Sequence, residues 1–192
     1  MPRSTGKQEL VYIEPSSVKA LQRLARELKE RGDGKEVKKR LNRAIKDATA
    51  PLERDIKDNA RGLTFTGRGS GDRARRTATV TKTGRQRKGI GLRDAMVKGI
   101  KTEISYRAGA GAGVRIRLKS SDADVNRIGR AINRRGKVRH PVFGDRENWA
   151  DTIATNGKDW FYGPVPKHRD DVTREVKRAI DAELNKLARD IG

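Results

Sequence analysis

Val37, Leu41, Ile45, Ala48, Leu52 and Ile56 recur three or four positions apart, the spacing that stacks side chains on one face of an α-helix. The opposite face is almost wholly Lys, Arg, Asp and Glu, so the helix carries a single apolar stripe. Pro51 lies inside the pattern. It lacks an N–H and crowds the preceding turn, which predicts a kink or a break at that point. Upstream, Pro15-Ser16-Ser17 offers helix-start chemistry, and Val18, Leu21, Leu24 and Leu28 follow at helical spacing until Gly32-Asp33-Gly34 stops the run. The two segments read as a helical hairpin or one long bent helix.

The pattern changes at residue 61. Through residue 91 Gly, Thr, Arg and Ser dominate and apolar residues are sparse. Such a stretch cannot build a packed core by itself and reads as an extended arm. Order resumes with a short helix at 92–97. Strands are expected at 102–107 and 114–119, joined by a flexible turn at 108–113. In the second strand Val114, Ile116 and Leu118 alternate with Arg115, Arg117 and Lys119, giving one apolar and one cationic face. Residues 122–133 form a helix carrying Val125, Ile128 and Ile132. Asn156-Gly157 is a two-residue hairpin signal, because both residues tolerate positive φ, and it joins a strand at 149–155 to one at 158–162. Pro164 and Pro166 end the sheet region. A long amphipathic helix then carries Val172, Val176, Ile180, Leu184, Leu187 and Ile191, with Asp170 and Asp171 at its positive N-terminal end.

Helices, then strands, then a helix define the α+β class. The expected organisation is an N-terminal helical segment (1–60), the basic arm (61–91) and an α+β core (92–192). That core holds a small antiparallel sheet, an aromatic cluster and the C-terminal helix. Five of the eight aromatic residues, Phe143, Trp149, Trp160, Phe161 and Tyr162, fall in this core within twenty positions.

Composition sharpens this picture in two ways. Hydrophobic residues make up only 33% of the 192 positions and charged residues 37%, so either part of the chain is extended or burial is completed by partner subunits, and both are expected. Lys and Arg number 46 against 25 Asp and Glu, a formal net charge of +21, which favours anionic partners. The chain lacks cysteine, excluding disulfides, thiolate metal sites and cysteine nucleophiles. Neither a secretory signal nor a span of ~20 apolar residues is present, so no membrane association and synthesis in a cytoplasm are expected.

Catalytic signatures are missing. His140 and His168 have no metal-ligand spacing with another His or a carboxylate, and there is neither a Gly-x-Ser-x-Gly elbow nor a P-loop. Gly109-Ala110-Gly111-Ala112-Gly113 leads into a strand pattern, whereas a phosphate cradle must open a helix. The expectation is a protein without catalytic residues, metal or cofactor. The arm supplies the candidate binding groups instead: Arg61, Arg68, Arg73, Arg75, Arg76, Lys82, Arg85, Arg87 and Lys88 stand against one acid, Asp72. Arg presents a planar donor fork suited to carboxylates and phosphates, so the arm is expected to contact a neighbouring subunit or an anionic partner. It holds a single aromatic, Phe65, which argues against base stacking or sequence reading.

The run Arg139-His140-Pro141-Val142-Phe143-Gly144, then Trp149, then Trp160-Phe161 before a C-terminal amphipathic helix, resembles the neck or tail-component proteins of siphophages. These are often described as similar to the gene-ten product of a lambdoid coliphage. Gly91-Leu92-Arg93-Asp94-Ala95 is similar to the family's short central helix. The resemblance covers about residues 91–191 and, more loosely, the helix at 37–60. The insert at 61–91 and the helix at 18–29 have no counterpart in it. It implies a virion structural protein, made in the bacterial host cytoplasm, that assembles as a homo-oligomeric ring of six-fold or twelve-fold symmetry. Such a ring joins the capsid connector to the tail, abuts other neck and tail proteins, and surrounds the DNA path. A tail terminator or completion protein and a nonspecific nucleic-acid-binding protein are the alternative readings.

Overall fold

The computed structural model describes residues 34–66, 79–80, 86–87, 91–106, 113–142 and 145–189, together with Gln22, Arg23 and Arg26. Elements run in the order α1 (Gly34–Gly62), β1 (Thr64–Thr66), β2 (Thr79–Val80), β3 (Gln86–Arg87), α2 (Leu92–Gly99), β4 (Ile100–Ser105), β5 (Gly113–Leu118), α3 (Ala123–Arg135), β6 (Lys137–Val142), β7 (Asp145–Thr155) and α4 (Val165–Arg189). This is the α+β class, with small sheets, an aromatic cluster and a long C-terminal helix. Gln22, Arg23 and Arg26 are helical; the apolar positions expected for the first helix lie outside the described residues.

The break expected at Pro51 does not occur: α1 continues through it as one element of 29 residues. Pro51 is on the exposed face. Its missing donor therefore costs a hydrogen bond where the orphaned carbonyl can meet water, while Leu52 and Ile56 stay fully buried in line with Leu41 and Ile45. One stripe position is also corrected. Thr49, at 0% exposure, sits in the core beside the half-buried Ala48, because its hydroxyl is satisfied by the Ile45 carbonyl at 3.1 Å and by Thr102 Oγ1 at 3.1 Å.

The chain forms two compact units. The first takes described residues 34–54, 102–106, 113–117 and 165–189. Its core gathers Leu41, Ile45 and Leu52 from α1, Val114 and Ile116 from β5, and Val172, Val176, Ile180 and Leu187 from α4. β4 is tied to α1 by Glu53, whose Oε2 accepts from the Thr102 amide at 3.1 Å and its hydroxyl at 2.7 Å. The open cationic face expected on β5 is corrected at Arg117, which is buried and pairs with Glu103 at 3.4 Å. The α4 start is corrected as well. The helix begins at Val165, not near Asp170, because proline is tolerated in a first turn, where its N–H would have no partner anyway. Asp170 and Asp171 thus lie in its second turn.

The second unit takes described residues 55–66, 79–80, 86–87, 91–101, 118–142 and 145–164. Its three-stranded antiparallel sheet has the order β1-β7-β6, with Phe65 opposite Ala154, Lys137 opposite Ile153 and Arg139 opposite Asp151. The register shifts between Pro141 and Val142, consistent with a proline that cannot donate to the ladder. The hairpin expected around Asn156-Gly157 is not the one that forms. Residues 149–155 do extend as part of β7, but they pair with β6 and β1, and 158–162 is a series of turns. Trp160 and Phe161 are exposed by 1% and 0%. Neighbours on a strand point to opposite faces, so a strand on a two-faced sheet could not bury both in one core. Positive φ at Asn156 and Asp159, both 57°, provides the turns that can.

The segment expected as an arm contains ordered pieces. Arg61 and Gly62 complete α1, Thr64–Thr66 is a sheet strand, and β2 pairs with β3 antiparallel.

Candidate anionic-partner surfaces

On the side of α1 turned from its stripe lies a concavity of about 480 Å³, lined among the described residues by Lys35, Lys38, Lys39, Asn42, Arg43, Lys46 and Asp47. The helical repeat brings them together: positions 35, 38, 39, 42, 43 and 46 follow the three- and four-residue steps of one face. Below them lies Tyr106, just after β4. Its hydroxyl donates to Asn42 Oδ1 at 2.7 Å, and the Lys38 ammonium stands 5.1 Å from its ring centroid, within cation–π range. Burial pushes the Tyr106 phenol up to about 12, so it remains a neutral donor to Asn42 across ordinary pH.

The resemblance motif divides between surface and core. Arg139 is exposed on β6 and its guanidinium lies 5.6 Å from the Trp149 ring centroid. Trp149 is 44% exposed, and Ile153, on the same face of β7, is 52% exposed. Lys137 pairs with Asp151 on that face at 2.7 Å. His140, Pro141 and Val142 are β6 residues, and Phe143 and Gly144 lie outside the described residues. The expected cluster of Phe143 with both tryptophans is corrected for Trp149, which is on the sheet surface. Trp160 and Phe161 do form a core, with ring centroids 5.2 Å apart in an edge-to-face arrangement. Trp160 Nε1 donates to the Gly129 carbonyl at 3.1 Å, the Phe161 amide donates to Asn133 Oδ1 at 2.8 Å, and Asn59 Nδ2 donates to the Trp160 carbonyl at 3.1 Å.

Of the arm candidates, Arg61 ends α1 and pairs with Asp58 one turn back. Arg87 belongs to β3. Arg68, Arg73, Arg75, Arg76, Lys82, Arg85 and Lys88 lie outside the described residues. Among the described residues, no group of three or more His, Asp or Glu side chains could hold a metal ion, and no helix is long and apolar enough to cross a membrane. The α1 face is the surface that sequence reasoning passed over as solvated charge. Its signal was present in the spacing of Lys35, Lys38, Lys39, Arg43 and Lys46, with Asp47 the one acid among them.

No family model, no curated protein and no solved structure matches the chain.

Proposed function

We propose that this protein is a structural subunit of a bacteriophage neck, working as one copy in a ring that joins the capsid connector to the tail. The observation that carries the reading is the order of motifs: Arg139-His140-Pro141-Val142-Phe143-Gly144, Trp149, Trp160-Phe161 and then the amphipathic helix Val165–Arg189. The sheet surface supports it. Trp149 and Ile153 are large apolar side chains in contact with water, bordered by Arg139, Lys137 and Asp151. A ring interface needs such a surface: an apolar centre with a charged rim, repeated from subunit to subunit. The reading assigns the protein to the virion and gives it no catalytic step. Electron microscopy of particles assembled without this protein tests it. Separate capsids and tails are expected, and normally joined virions would refute the role.

A further inference from the structure

We infer that the Lys35–Lys46 face of α1 is a binding surface for the phosphate backbone of double-stranded DNA. Several cations on the described helical surface are neutralised within the fold. On α4, Arg174 pairs with Asp171, Arg178 with Glu175 and Lys186 with Glu183; on α3, Arg127 pairs with Asp124. Even α1 pairs Arg40 with Glu183 and Arg61 with Asp58. Among the described residues, Lys35, Lys38, Lys39, Arg43 and Lys46 make no ion pair, and Asp47 is the one acid among those that line their concavity. Lys35, Lys38 and Lys39 lie in the first two turns of α1 beside one acid, Glu36, and the positive end of the helix dipole there adds to their attraction for an anion. The surface is anchored from beneath, because Tyr106 is held by Asn42 and covered by Lys38.

The chemistry selects among polyanions. Every described residue lining the concavity is charged or polar, and none of them is an apolar anchor of the kind on which protein interfaces depend. A membrane-surface helix must insert its apolar face, but Val37, Leu41 and Ile45 are exposed by 1% or less. Single strands are held by aromatic platforms, and Tyr106, beneath Lys38 and bonded to Asn42, does not offer one. Ammonium groups act as point charges on phosphate and carry no base code. From residue 35 to residue 46 the helix rises ~16 Å at ~1.5 Å per residue. That length matches about five phosphates of one strand, which succeed one another every ~3.4 Å along a duplex.

The test uses the full chain and a fluorescent duplex of mixed sequence, with anisotropy titrations at several salt concentrations. The variant carries Lys35→Gln, Lys39→Gln, Arg43→Gln and Lys46→Gln; it keeps Lys38 on Tyr106, and Gln preserves helix propensity. A charge-matched control changes the exposed Arg134, Arg135, Arg169 and Lys177 to Gln. With four phosphates no longer neutralised, the slope of log K against log salt should flatten by about 3.6, equivalent to removing roughly 150-fold of the affinity change between 50 and 200 mM salt. The control should retain most of the wild-type slope. Equal flattening in variant and control would mean that net charge alone attracts DNA, and the inference would be wrong. It would also be overturned by tighter binding to a single strand, by preference for anionic lipid vesicles, or by no duplex binding by the wild type at 50 mM salt. An unchanged Tm of the variant excludes misfolding as the cause. The neck role stands or falls separately, on head–tail joining.

Discussion

Replacing Asn133 with Ala removes one acceptor from a place where nothing else can supply it. Asn133 is 1% exposed, and its Oδ1 receives the amide of Phe161, itself 0% exposed, at 2.8 Å. Alanine leaves that N–H buried without its partner, a desolvation cost of about 1–3 kcal/mol. The backbone bond from the Asp159 amide to the Asn133 carbonyl, at 2.8 Å, does not depend on the side chain and survives. Asn59 gives an internal comparison, because it bonds the same turn through the Trp160 carbonyl but is itself exposed. Truncating this exposed side chain opens the carbonyl to the water that Asn59 faces, so Asn59→Ala should cost no more than the net worth of an ordinary hydrogen bond, ~1 kcal/mol. For a chain of this size each kcal/mol lowers Tm by about 2–4 °C. The assay is chemical and thermal unfolding in a Trp149→Phe background, where Trp160 is the one remaining indole and reports this turn directly. Asn133→Ala should lower the midpoint clearly more than Asn59→Ala. If the two are equal, or if Asn59→Ala is the more damaging, the assignment of Asn133 as the clamp of the aromatic turn is wrong.

Gly157 should resist any side chain. A Cβ there would meet Ala154 Cβ at 2.6 Å, the Ala154 carbonyl at 2.8 Å and Ile132 Cγ2 at 2.8 Å, so Gly157→Ala should destabilise by about 1–3 kcal/mol of overpacking, read as a fall in the urea midpoint. The Tyr106 phenol has its folded pKa pushed above the ordinary 10, to about 12, by burial. Its contribution to stability is therefore complete below pH 10 and lost as pH rises toward 12, because the unfolded chain releases the proton first. Tyrosinate absorbance should register the Tyr106 ionisation above pH 11, and a normal titration near pH 10 in the folded protein would contradict its burial. Arg40→Ala should change stability little, since Arg40 is half exposed and Lys186 still neutralises the buried Glu183 at 3.3 Å; a large fall in Tm would refute this. The purified chain should sediment as a closed oligomer, and Trp149→Ser with Ile153→Ser should shift it toward monomer and make its Tm independent of protein concentration. An oligomer indifferent to both changes would place the interface elsewhere.

What could be read from the sequence was set by local periodicity. The α1 stripe, the α3 stripe of Val125 and Ile132, and the α4 stripe of Val172, Val176, Ile180 and Leu187 all repeat at the helical interval, and the α3 and α4 residues named are buried in the structure, as are Val37, Leu41, Ile45, Leu52 and Ile56 of α1. Helix and strand repeats differ enough that no tertiary information was needed to tell them apart. The α+β class followed from their order. The resemblance motif at Arg139–Gly144 was likewise visible in the letters alone, as was the cationic spacing of α1, although its meaning was not.

Tertiary structure decided what periodicity cannot encode, namely partners distant in sequence. Thr49 is buried because Thr102 reaches its hydroxyl, and Arg117 because the Glu103 carboxylate pairs with its guanidinium across β4–β5. Asn156-Gly157 carries the signature of a hairpin, yet 149–155 pairs with 137–141 and 64–66. The core competes for Trp160 and Phe161 together, and only a turn can deliver two adjacent side chains to one side. A local signal yields when burying two aromatic rings outweighs one ladder of backbone bonds that other strands can supply. Sequence spacing likewise could not say which cations are neutralised: among the described residues, acids of α3 and α4 pair with Arg127, Arg174, Arg178 and Lys186 within their own helices, while Lys35, Lys38, Lys39, Arg43 and Lys46 of α1 make no ion pair.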